Sequence, residues 1–514
     1  MTVGTTPYRS GLRAGRDGFP QLLRAEWTKF RTVRGWVAGT WVAALVMVLL
    51  GLVAASGFHS SCGGDCSVPL GPDGEAVVDM FYFAHQPLVG DGSITVRVTS
   101  LTGLITYPPD HPNDIVPGVM PWAKAGVIIK ESTKQGSAYA AVMVTGSHGA
   151  RMQYNYIHDT AGSPGGVSAA SPRWLRLTRS GDSLTGYESA DGTHWTRIGT
   201  ADLAGLPATA QVGLFVTSPF YMVVSPGVAG GFSSRLTQAT AVFDQVSLQS
   251  EGTGGAWTGD NIGIGPGGPP LTQRGFEESG GRFTVSGTGD IAPRVDGGRR
   301  IEDALHGTFA GLIVVIVIGS MFITAEYRRG MIRTTLATSP RRGRVLAAKA
   351  IVIGSVTFVA GLAAAAVAVP LGDWILRANG NYLFPVTSLT ELRVIAGTAA
   401  LLAVVTVLAL AVGAMLQRGA EAVTALIVMI VVPYVLAIAA PLPDTVSEWL
   451  LRLTPAAGFA IQQSLPRYPQ INDVLLTPLR DFYPLEPWAG FAVLCAYTAL
   501  ALGLATFLLR RRDA

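Results

Sequence analysis

The sequence predicts a polytopic α-helical membrane protein with six transmembrane helices and a large extracellular all-β jelly-roll or sandwich domain inserted between helices 1 and 2. Three observations support this fold class. Only 14% of the 514 residues are charged and the mean hydropathy is +0.37, whereas a water-soluble domain carries about 25% charged residues. Six long stretches lack charge, and one long insert shows the short alternating runs of β-strands. The same composition excludes a disordered chain, and three cysteines exclude a disulfide-rich scaffold.

The predicted transmembrane helices are six stretches of 19 to 24 residues without Asp, Glu, Lys, Arg or His. A helix rises ~1.5 Å per residue, so about 20 apolar residues cross a hydrocarbon core of ~30 Å. One such run also fits a buried core helix, but six of them favour a membrane. The first is too long for the apolar part of a signal peptide, so we expect it to be retained. The six stretches are Gly35–Phe58, Gly307–Ala325, Ala350–Gly372, Val394–Gln417, Ala422–Pro443 and Pro487–Leu509.

The distribution of charge predicts the orientation in the membrane. Positive residues that flank spans remain on the cytoplasmic side. Segments 1–34, 326–349, 418–421 and 510–514 together hold 18 basic and five acidic residues, whereas residues 59–306 hold 15 basic and 22 acidic residues. We therefore expect a multi-pass plasma-membrane protein with both termini cytoplasmic and residues 59–306 extracellular. The pI near 9.0 also fits nucleic-acid binding, but the charge flanks spans, so we expect no nucleic-acid partner.

Residues 59–306 are predicted to form the β-domain and a linker back to the membrane. The region is rich in Gly, Ser, Thr and Pro, and its apolar residues alternate with polar ones in short runs. Period-two alternation is typical of strands, and many short strands without helical periodicity predict a two-sheet antiparallel sandwich. The predicted strands are Ser93–Thr99, Ala125–Lys130, Ala138–Val144, Arg173–Arg179, Ser183–Ser189, His194–Gly199, Gln211–Thr217 and Ala239–Leu248.

The insert resembles the concanavalin-like and laminin-G-like modules of secreted proteins. The resemblance covers roughly residues 75–250 and is carried by Ala123–Ser132 (AKAGVIIKES), Tyr139–Tyr154 and Trp174–Trp195. Because several such modules bind glycans, the resemblance implies a sugar-binding face. Its candidate aromatic residues are Trp122, Tyr154, Trp174 and Trp195. The alternative, which we favour, is that these aromatics fill the sandwich core, the commoner fate of large aromatic side chains.

Two cysteines, Cys62 and Cys66, lie directly after the first predicted span in the sequence CGGDC. Because the outer side of the membrane is oxidising, we predict a disulfide that closes a small loop. A metal site is the alternative, but no His or Cys cluster in the sequence completes four ligands, so we expect no metal.

The segment before the first span is predicted to be an amphipathic helix. Within Pro20–Arg34, Leu23, Trp27 and Phe30 fall at positions i, i+4 and i+7, on one side of a helix. A basic amphipathic helix next to a span lies in the membrane interface and contacts lipid. The alternative is a positively charged flank that forms no helix.

The loop at 326–349 is short, polar and basic, with the sequence EYRRGMIRTTLATSPRRGRVLAAK. Met331, Ile332 and Leu336 give this loop an apolar patch that a partner protein would cover. The alternative is a solvated positive loop of the kind that faces the cytoplasm in many membrane proteins.

Together these two segments make the membrane part similar to permeases of the type-2 ABC exporter class. The motifs are Leu22–Arg34 (LLRAEWTKFRTVR) and Glu326–Arg333 (EYRRGMIR), the latter followed by Ser339–Arg342 (SPRR). The resemblance covers residues 20–58 and 307–512. It implies that the first segment is an elbow helix and that the loop is a coupling helix, which docks on a separate ABC ATP-binding subunit. The coupling residues implied by resemblance are Glu326, Tyr327, Arg328, Gly330 and Arg333. Two permeases pair in this class, as a homodimer or a heterodimer.

The function predicted from these features is that of a permease subunit of an ATP-driven exporter. The chain contains no G-x-x-x-x-G-K-[ST] phosphate loop, so we expect no enzymatic activity and no bound cofactor in this chain, with ATP and Mg on the partner subunit. The predicted spans carry no charged residue, which argues against ion coupling and favours a hydrophobic or amphiphilic cargo. The alternatives are a membrane-anchored glycan or envelope sensor that uses the sandwich, and a secondary transporter.

Overall fold

The computed structural model describes residues 18–60, 68–224, 232–252, 255–264, 275–331, 341–438, 442–478 and 482–511. In this part of the chain, helices occupy both ends of the sequence and strands occupy the stretch between Val77 and Pro293. The α-helices are α1 (Phe19–Thr32), α2 (Arg34–Gly57), α3 (Thr308–Arg328), α4 (Arg342–Ala378), α5 (Ser388–Leu416), α6 (Gly419–Leu426), α7 (Val432–Ile438), α8 (Asp444–Leu453) and α9 (Pro487–Arg511).

Six helical units of the described residues are long and apolar enough to cross a membrane. They are α2, α3, α4, α5, the continuous unit Gly419–Ile438 that contains α6 and α7, and α9. They coincide with the six charge-free stretches, which confirms the prediction of six apolar helices.

Helices α3 and α4 extend past their charge-free stretches into the predicted loop 326–349. Helix α3 continues to Arg328 and α4 begins at Arg342, so Glu326 and Lys349 lie within helices and not in the predicted loop 326–349. The helices can extend because the two charged side chains pair with each other, as described below.

The fifth apolar unit contains an irregular turn. A π-helix over Ile427–Val431 separates α6 from α7, and Pro433 is the second residue of α7. Proline lacks the backbone N–H of a regular helix and its ring collides with the carbonyl one turn earlier. A widened turn relieves that collision, so the bend expected at a proline takes the form of a π-turn here.

The β-region of the described residues contains nineteen strands. All eight strands predicted from the alternation pattern overlap an observed strand. The strands are β1 (Val77–Asp79), β2 (Phe81–Val89), β3 (Gly92–Thr106), β4 (Ile115–Pro117), β5 (Lys124–Lys130), β6 (Tyr139–Thr145), β7 (Ala150–Tyr154), β8 (His158–Ala161), β9 (Arg173–Ser180), β10 (Ser183–Ser189), β11 (Thr196–Asp202), β12 (Thr209–Thr217), β13 (Tyr221–Val224), β14 (Phe232–Arg235), β15 (Thr237–Ser250), β16 (Thr258–Ile262), β17 (Gly275–Ser279), β18 (Arg282–Gly287) and β19 (Ile291–Pro293).

Most of these strands form two large antiparallel sheets. One sheet has the order β11-β10-β9-β3-β15-β18-β17, with β4 added beside β3, and the other has the order β16-β2-β12-β5-β6-β7-β8. Two small antiparallel pairs, β1-β19 and β13-β14, complete the region. The predicted large antiparallel β-region is therefore present, and in sequence it lies between α2 and α3.

The main core of the β-region lies between the two large sheets. Leu175 and Leu177 of β9 pack there against Val127 and Ile129 of β5. The alternate residues of β5 and β6 are also buried, because a second apolar cluster that includes Phe81, Tyr139 and Tyr156 covers the outer face of the seven-stranded sheet. This covered face points towards the helical part of the molecule.

The β-region rests directly on two loops of the helical part. Ala292 and Val295 share an apolar cluster with Phe384, Ile471 and Phe482. The Gln470 side chain donates hydrogen bonds to the backbone carbonyls of Tyr156 and Ile157, at 3.0 and 3.1 Å. The two parts are thus packed together and not merely joined by the chain.

A short 3₁₀ helix, Ile301–Leu305, connects the β-region to α3 and packs between α2 and α4. Two glycines allow this approach: a Cβ at Gly51 of α2 would overlap the carbonyl oxygen of Ala304, and a Cβ at Gly372 of α4 would overlap the Ala304 side chain. Small residues are typical where apolar helices approach this closely. The 3₁₀ helix is thereby fixed at the end of the helical bundle that faces the β-region.

Candidate coupling site

A single residue separates the first helix from the first apolar helix. Helix α1 has Pro20 in its first turn, ends at Thr32, and meets α2 after the single extended residue Val33. Phe30 is buried, Leu23 is partly buried, and Trp27 stacks on Phe30 but keeps 47% of its surface exposed. The buried face of α1 also contains Glu26, which was not part of the predicted apolar stripe.

Glu26 belongs to a cluster of four charged side chains from three helices. Lys349 of α4 donates hydrogen bonds to Glu26 of α1 at 2.7 Å and to Glu326 of α3 at 2.6 Å. Lys29 of α1 donates to the same two carboxylates, at 2.9 and 3.2 Å. The side chains of Lys349, Glu26 and Glu326 are 1%, 2% and 8% exposed, and that of Lys29 is 41% exposed. The cluster is electrically neutral, with two carboxylates and two ammonium groups.

Aromatic rings close the cluster off from the rest of the bundle. The Lys349 ammonium lies 5.1 Å from the ring centre of Phe322, which also contacts Phe30 and Trp36. In such surroundings the loss of one partner leaves a buried charge uncompensated, at a cost of about 3–5 kcal/mol. The four charges therefore hold α1 in place against α3 and α4.

The exposed member of the cluster remains charged. Burial alone would lower the pKa of Lys29, but its hydrogen bond to Glu26 and the negative charges of Glu26 and Glu326 outweigh burial and raise the pKa above its ordinary value of 10.5. Lys29 thus contributes a full positive charge at physiological pH.

The structure separates the coupling residues that the sequence predicted. Glu326 is buried in the four-charge cluster, and Tyr327 is half-buried beside the same aromatic rings. Arg328 and Gly330 are exposed, and Gly330 ends α3 with a φ of +68° that favours glycine. Arg333 lies outside the described residues. The carboxylate of Glu326 therefore faces the elbow helix, while Arg328 faces outward.

Sequence reasoning missed three members of this cluster, Glu26, Lys29 and Lys349. One signal was present: Glu26 lies three residues after Leu23 and four before Phe30, so it falls on the apolar side of a helix. A carboxylate in that position needs a buried partner. The partner, Lys349, is 323 residues away in the chain.

Next to the cluster the surface is strongly basic. Arg341, Arg342, Arg344 and Arg510 line a cavity of about 590 Å³ at the start of α4 and the end of α9. The Arg342 guanidinium donates a hydrogen bond to the carbonyl of Leu509 at 2.5 Å, which fixes the start of α4 against α9.

The four aromatic candidates for glycan binding do not share one face. Trp122 is buried and stacks on His148, and Tyr154 packs against the sandwich core and stacks on His158. Trp174 lies on the outer face of the other sheet, because its neighbour Leu175 points into the core.

Arginines cover the two tryptophans of that outer face. The Arg97 guanidinium lies 5.7 Å from the ring centre of Trp174, and the Arg176 guanidinium lies 3.9 Å from that of Trp195. Cys62 and Cys66 lie outside the described residues, so the predicted disulfide stays a prediction. In the described ranges no group of three or more His, Cys, Asp or Glu side chains is placed to hold a metal ion.

Comparison with known families identifies the class of the chain. A family model described as "ABC-2 family transporter protein" matches residues 131–514, about three-quarters of the sequence. The chain therefore belongs to the ABC-2 transporter family and is a multi-pass membrane protein of the permease type. In this family the permease is the transmembrane component, and ATP hydrolysis takes place on a separate subunit. No curated protein sequence matches the chain.

Solved structures resemble only part of the chain, and weakly. A functionally unknown protein from Saccharomyces cerevisiae shares 16% identity over 33% of this chain and 74% of its own, with a TM-score of 0.20. Scytalido-glutamic peptidase with a transition state analog inhibitor shares 12% identity over 42% of this chain and 100% of its own, with a TM-score of 0.27. The same peptidase with a peptide based transition state analog shares 9% identity over 42% of this chain and 100% of its own, with a TM-score of 0.26. Scores this low establish no common fold.

Proposed function

We propose that the chain is the transmembrane subunit of an ATP-driven type-2 ABC exporter, energised by a separate ATPase that docks on the surface formed by residues 326–349. The cargo is a hydrophobic or amphiphilic compound. The observation that carries the proposal is the four-charge cluster, because it joins the elbow helix to both helices that border the docking surface. A push on this surface moves α1, α3 and α4 together.

The proposed topology has both termini in the cytoplasm and residues 59–306 outside, with the sandwich inserted between the first and second spans. It divides the chain into a cytoplasmic segment 1–34, a first span 35–58, the outer domain 59–306 and the remaining spans 307–514. In support, the β-region contacts the bundle near Thr308, where α3 begins, and the charged cluster lies near Arg328, where α3 ends. These 21 residues span about 30 Å of helix, the thickness of the hydrocarbon core.

The proposal also includes the partners that the family implies. ATP and Mg are bound by the ATPase, and two permeases assemble as a homodimer or heterodimer. Helix α2 presents an exposed apolar face that includes Trp41, Leu45 and Val53, and lipid or the second permease covers it.

The docking test uses the full chain co-expressed with an ABC ATP-binding subunit. Arg328→Glu reverses a charge on the proposed docking surface, and Arg282→Glu makes the same change at an exposed position of the β-region, the first residue of β18. We expect Arg328→Glu to abolish co-purification of the ATPase and Arg282→Glu to leave it intact. If both variants retain the ATPase equally, the docking surface is wrong.

The topology is tested independently by labelling with a membrane-impermeant maleimide in intact cells. The background carries serine in place of Cys62, Cys66 and Cys495, and single cysteines are introduced at Arg328 or at Arg282. We expect label at position 282 without permeabilisation and at position 328 only after it. The opposite pattern would overturn the proposed orientation.

A further inference from the structure

A cavity of about 270 Å³ lies where the 3₁₀ helix Ile301–Leu305 meets the first turn of α3, the end of α7 and a second 3₁₀ helix, Pro455–Gln462. Thr308 begins α3 and Ile438 ends α7, so the cavity sits at the end of the bundle that faces the β-region. The cavity is separate from the coupling site, which lies at the other end of α3.

One wall of this cavity is aromatic. The rings of Phe309 and Tyr434 are stacked with centres 5.4 Å apart, and the Tyr434 ring is 4.2 Å from that of Phe459. Leu305 and Ile438 extend the apolar lining. The faces of such rings carry partial negative charge and attract cations, most strongly where water is excluded.

A buried carboxylate provides a second wall. Glu302 Oε1 accepts a hydrogen bond from the backbone N–H of Ser464 at 3.0 Å. Its other oxygen, Oε2, is buried and accepts no hydrogen bond from the described residues. A buried carboxylate oxygen without a donor is unfavourable, so this oxygen is suited to receive a positive group from a bound molecule.

The charges around the cavity also favour a cation. The ionisable groups among the described lining residues are Glu302, Asp303, His306, Tyr434 and Tyr483, and no Lys or Arg lines the cavity. Two guanidinium groups act on Glu302 from outside the lining. Arg300 lies over the Phe482 ring at 4.3 Å, and Arg393 donates to the Gln463 carbonyl at 2.7 Å. An anion would meet two acidic side chains in the lining of the cavity, where no Lys or Arg is present among the described residues.

We propose that this cavity binds a cationic amphiphile, a quaternary or protonated amine whose positive nitrogen lies between Glu302 and the aromatic wall. Its apolar body lies against Leu305 and Ile438. The assignment of such a molecule as the cargo rests on the proposed exporter function. Binding itself does not, since it needs neither the ATPase nor transport.

The test measures binding to the full chain in lipid nanodiscs without any ATPase, by calorimetry at pH 8.5. The probes are benzyltrimethylammonium and neopentylbenzene, which have the same shape. The first has a positively charged nitrogen at the position where the second has a neutral carbon. We expect the cation to bind at least ~10-fold more tightly than its neutral isostere, a difference of ~1.4 kcal/mol.

Three variants locate the site. Glu302→Gln should abolish the preference for the cation, while neopentylbenzene binds as before. Tyr434→Leu should weaken the binding of the cation at least ~10-fold. Glu486→Gln, the same change at an exposed glutamate before α9, should alter neither probe. Equal binding of the two probes to the unmodified chain overturns the proposal, as does full retention of the cation preference in both Glu302→Gln and Tyr434→Leu. A negative result here leaves the docking test of the ATPase unaffected.

Discussion

The ammonium of Lys349 lies 2.6 Å from the carboxylate of Glu326, near the facing ends of α4 and α3. The pair closes the hairpin whose connecting loop is the proposed docking surface. Glu26 of α1 shares the same ammonium at 2.7 Å, so we propose that a displacement of the hairpin would move the elbow helix with it. Because Glu326 is buried, we propose that it positions this surface and does not itself contact the ATPase.

Lys349→Met should destabilise the protein strongly. The substitution keeps most of the side-chain volume but leaves Glu26 and Glu326 buried with only the partly exposed Lys29 to pair with them. We expect a loss of about 3–5 kcal/mol, measured by thermal unfolding in detergent. Lys29→Met is the matched control and should cost less than about 1 kcal/mol, because that side chain is partly exposed. Equal effects of the two variants would show that the cluster does not depend on its buried ammonium.

Phe30→Ala should loosen the elbow helix more than Trp27→Ala. The Phe30 ring is buried against Phe322, whereas Trp27 is 47% exposed on the same helix. Truncation of a buried phenylalanine costs about 3–5 kcal/mol, so Phe30→Ala should lower the unfolding temperature and expose α1 to protease. Trp27→Ala should change stability little in detergent but weaken contact with lipid. The interpretation fails if Trp27→Ala is the more destabilising of the two in detergent.

The elements that the sequence predicts correctly are those encoded by local patterns. The charge-free stretches specify six apolar helices because span length depends only on neighbouring residues. The alternation at Arg173–Arg179 specifies β9 because Leu175 and Leu177 must face the core. By contrast, Glu26 and Lys349 are 323 residues apart. Glu302 likewise faces rings from α3, α7 and a distant 3₁₀ helix. Such sites depend on tertiary packing, which a single sequence does not reveal.

Gly51→Val should disrupt the attachment of the β-region to the bundle. A Cβ at Gly51 would overlap the Ala304 carbonyl, so the 3₁₀ helix Ile301–Leu305 would have to move away from α2. Overpacking of this kind typically costs about 1–3 kcal/mol. Gly57→Val is the control at the end of the same helix, where no atom lies within 4 Å of an added Cβ. Thermal unfolding should show a loss for Gly51→Val alone, and a similar loss for both would point to helix propensity instead of close packing.

Glu302 should make stability depend on pH between about 4.5 and 7. Burial is the largest influence on this carboxyl and raises its pKa from 4.5 to about 7, against the opposing effects of Arg300 and Ser464. A carboxyl with a raised pKa in the folded protein holds its proton more tightly when folded. Its contribution to stability is therefore complete below about pH 4.5 and is lost as the pH rises to about 7.

The Glu302→Gln variant lacks this titrating group, so it is the reference against which the unmodified chain is measured. The stability of the unmodified chain relative to the variant should fall by up to about 3 kcal/mol between pH 4.5 and pH 8, since one pKa unit corresponds to about 1.4 kcal/mol. The nearby groups Asp303, His306, Arg300 and Arg393 are present in both proteins, so their own titration cancels to first order. Thermal unfolding at several pH values gives the difference directly. If the difference in stability is constant across this range, Glu302 ionises as an ordinary exposed carboxyl. That result would contradict the burial of its Oε2 in the structure.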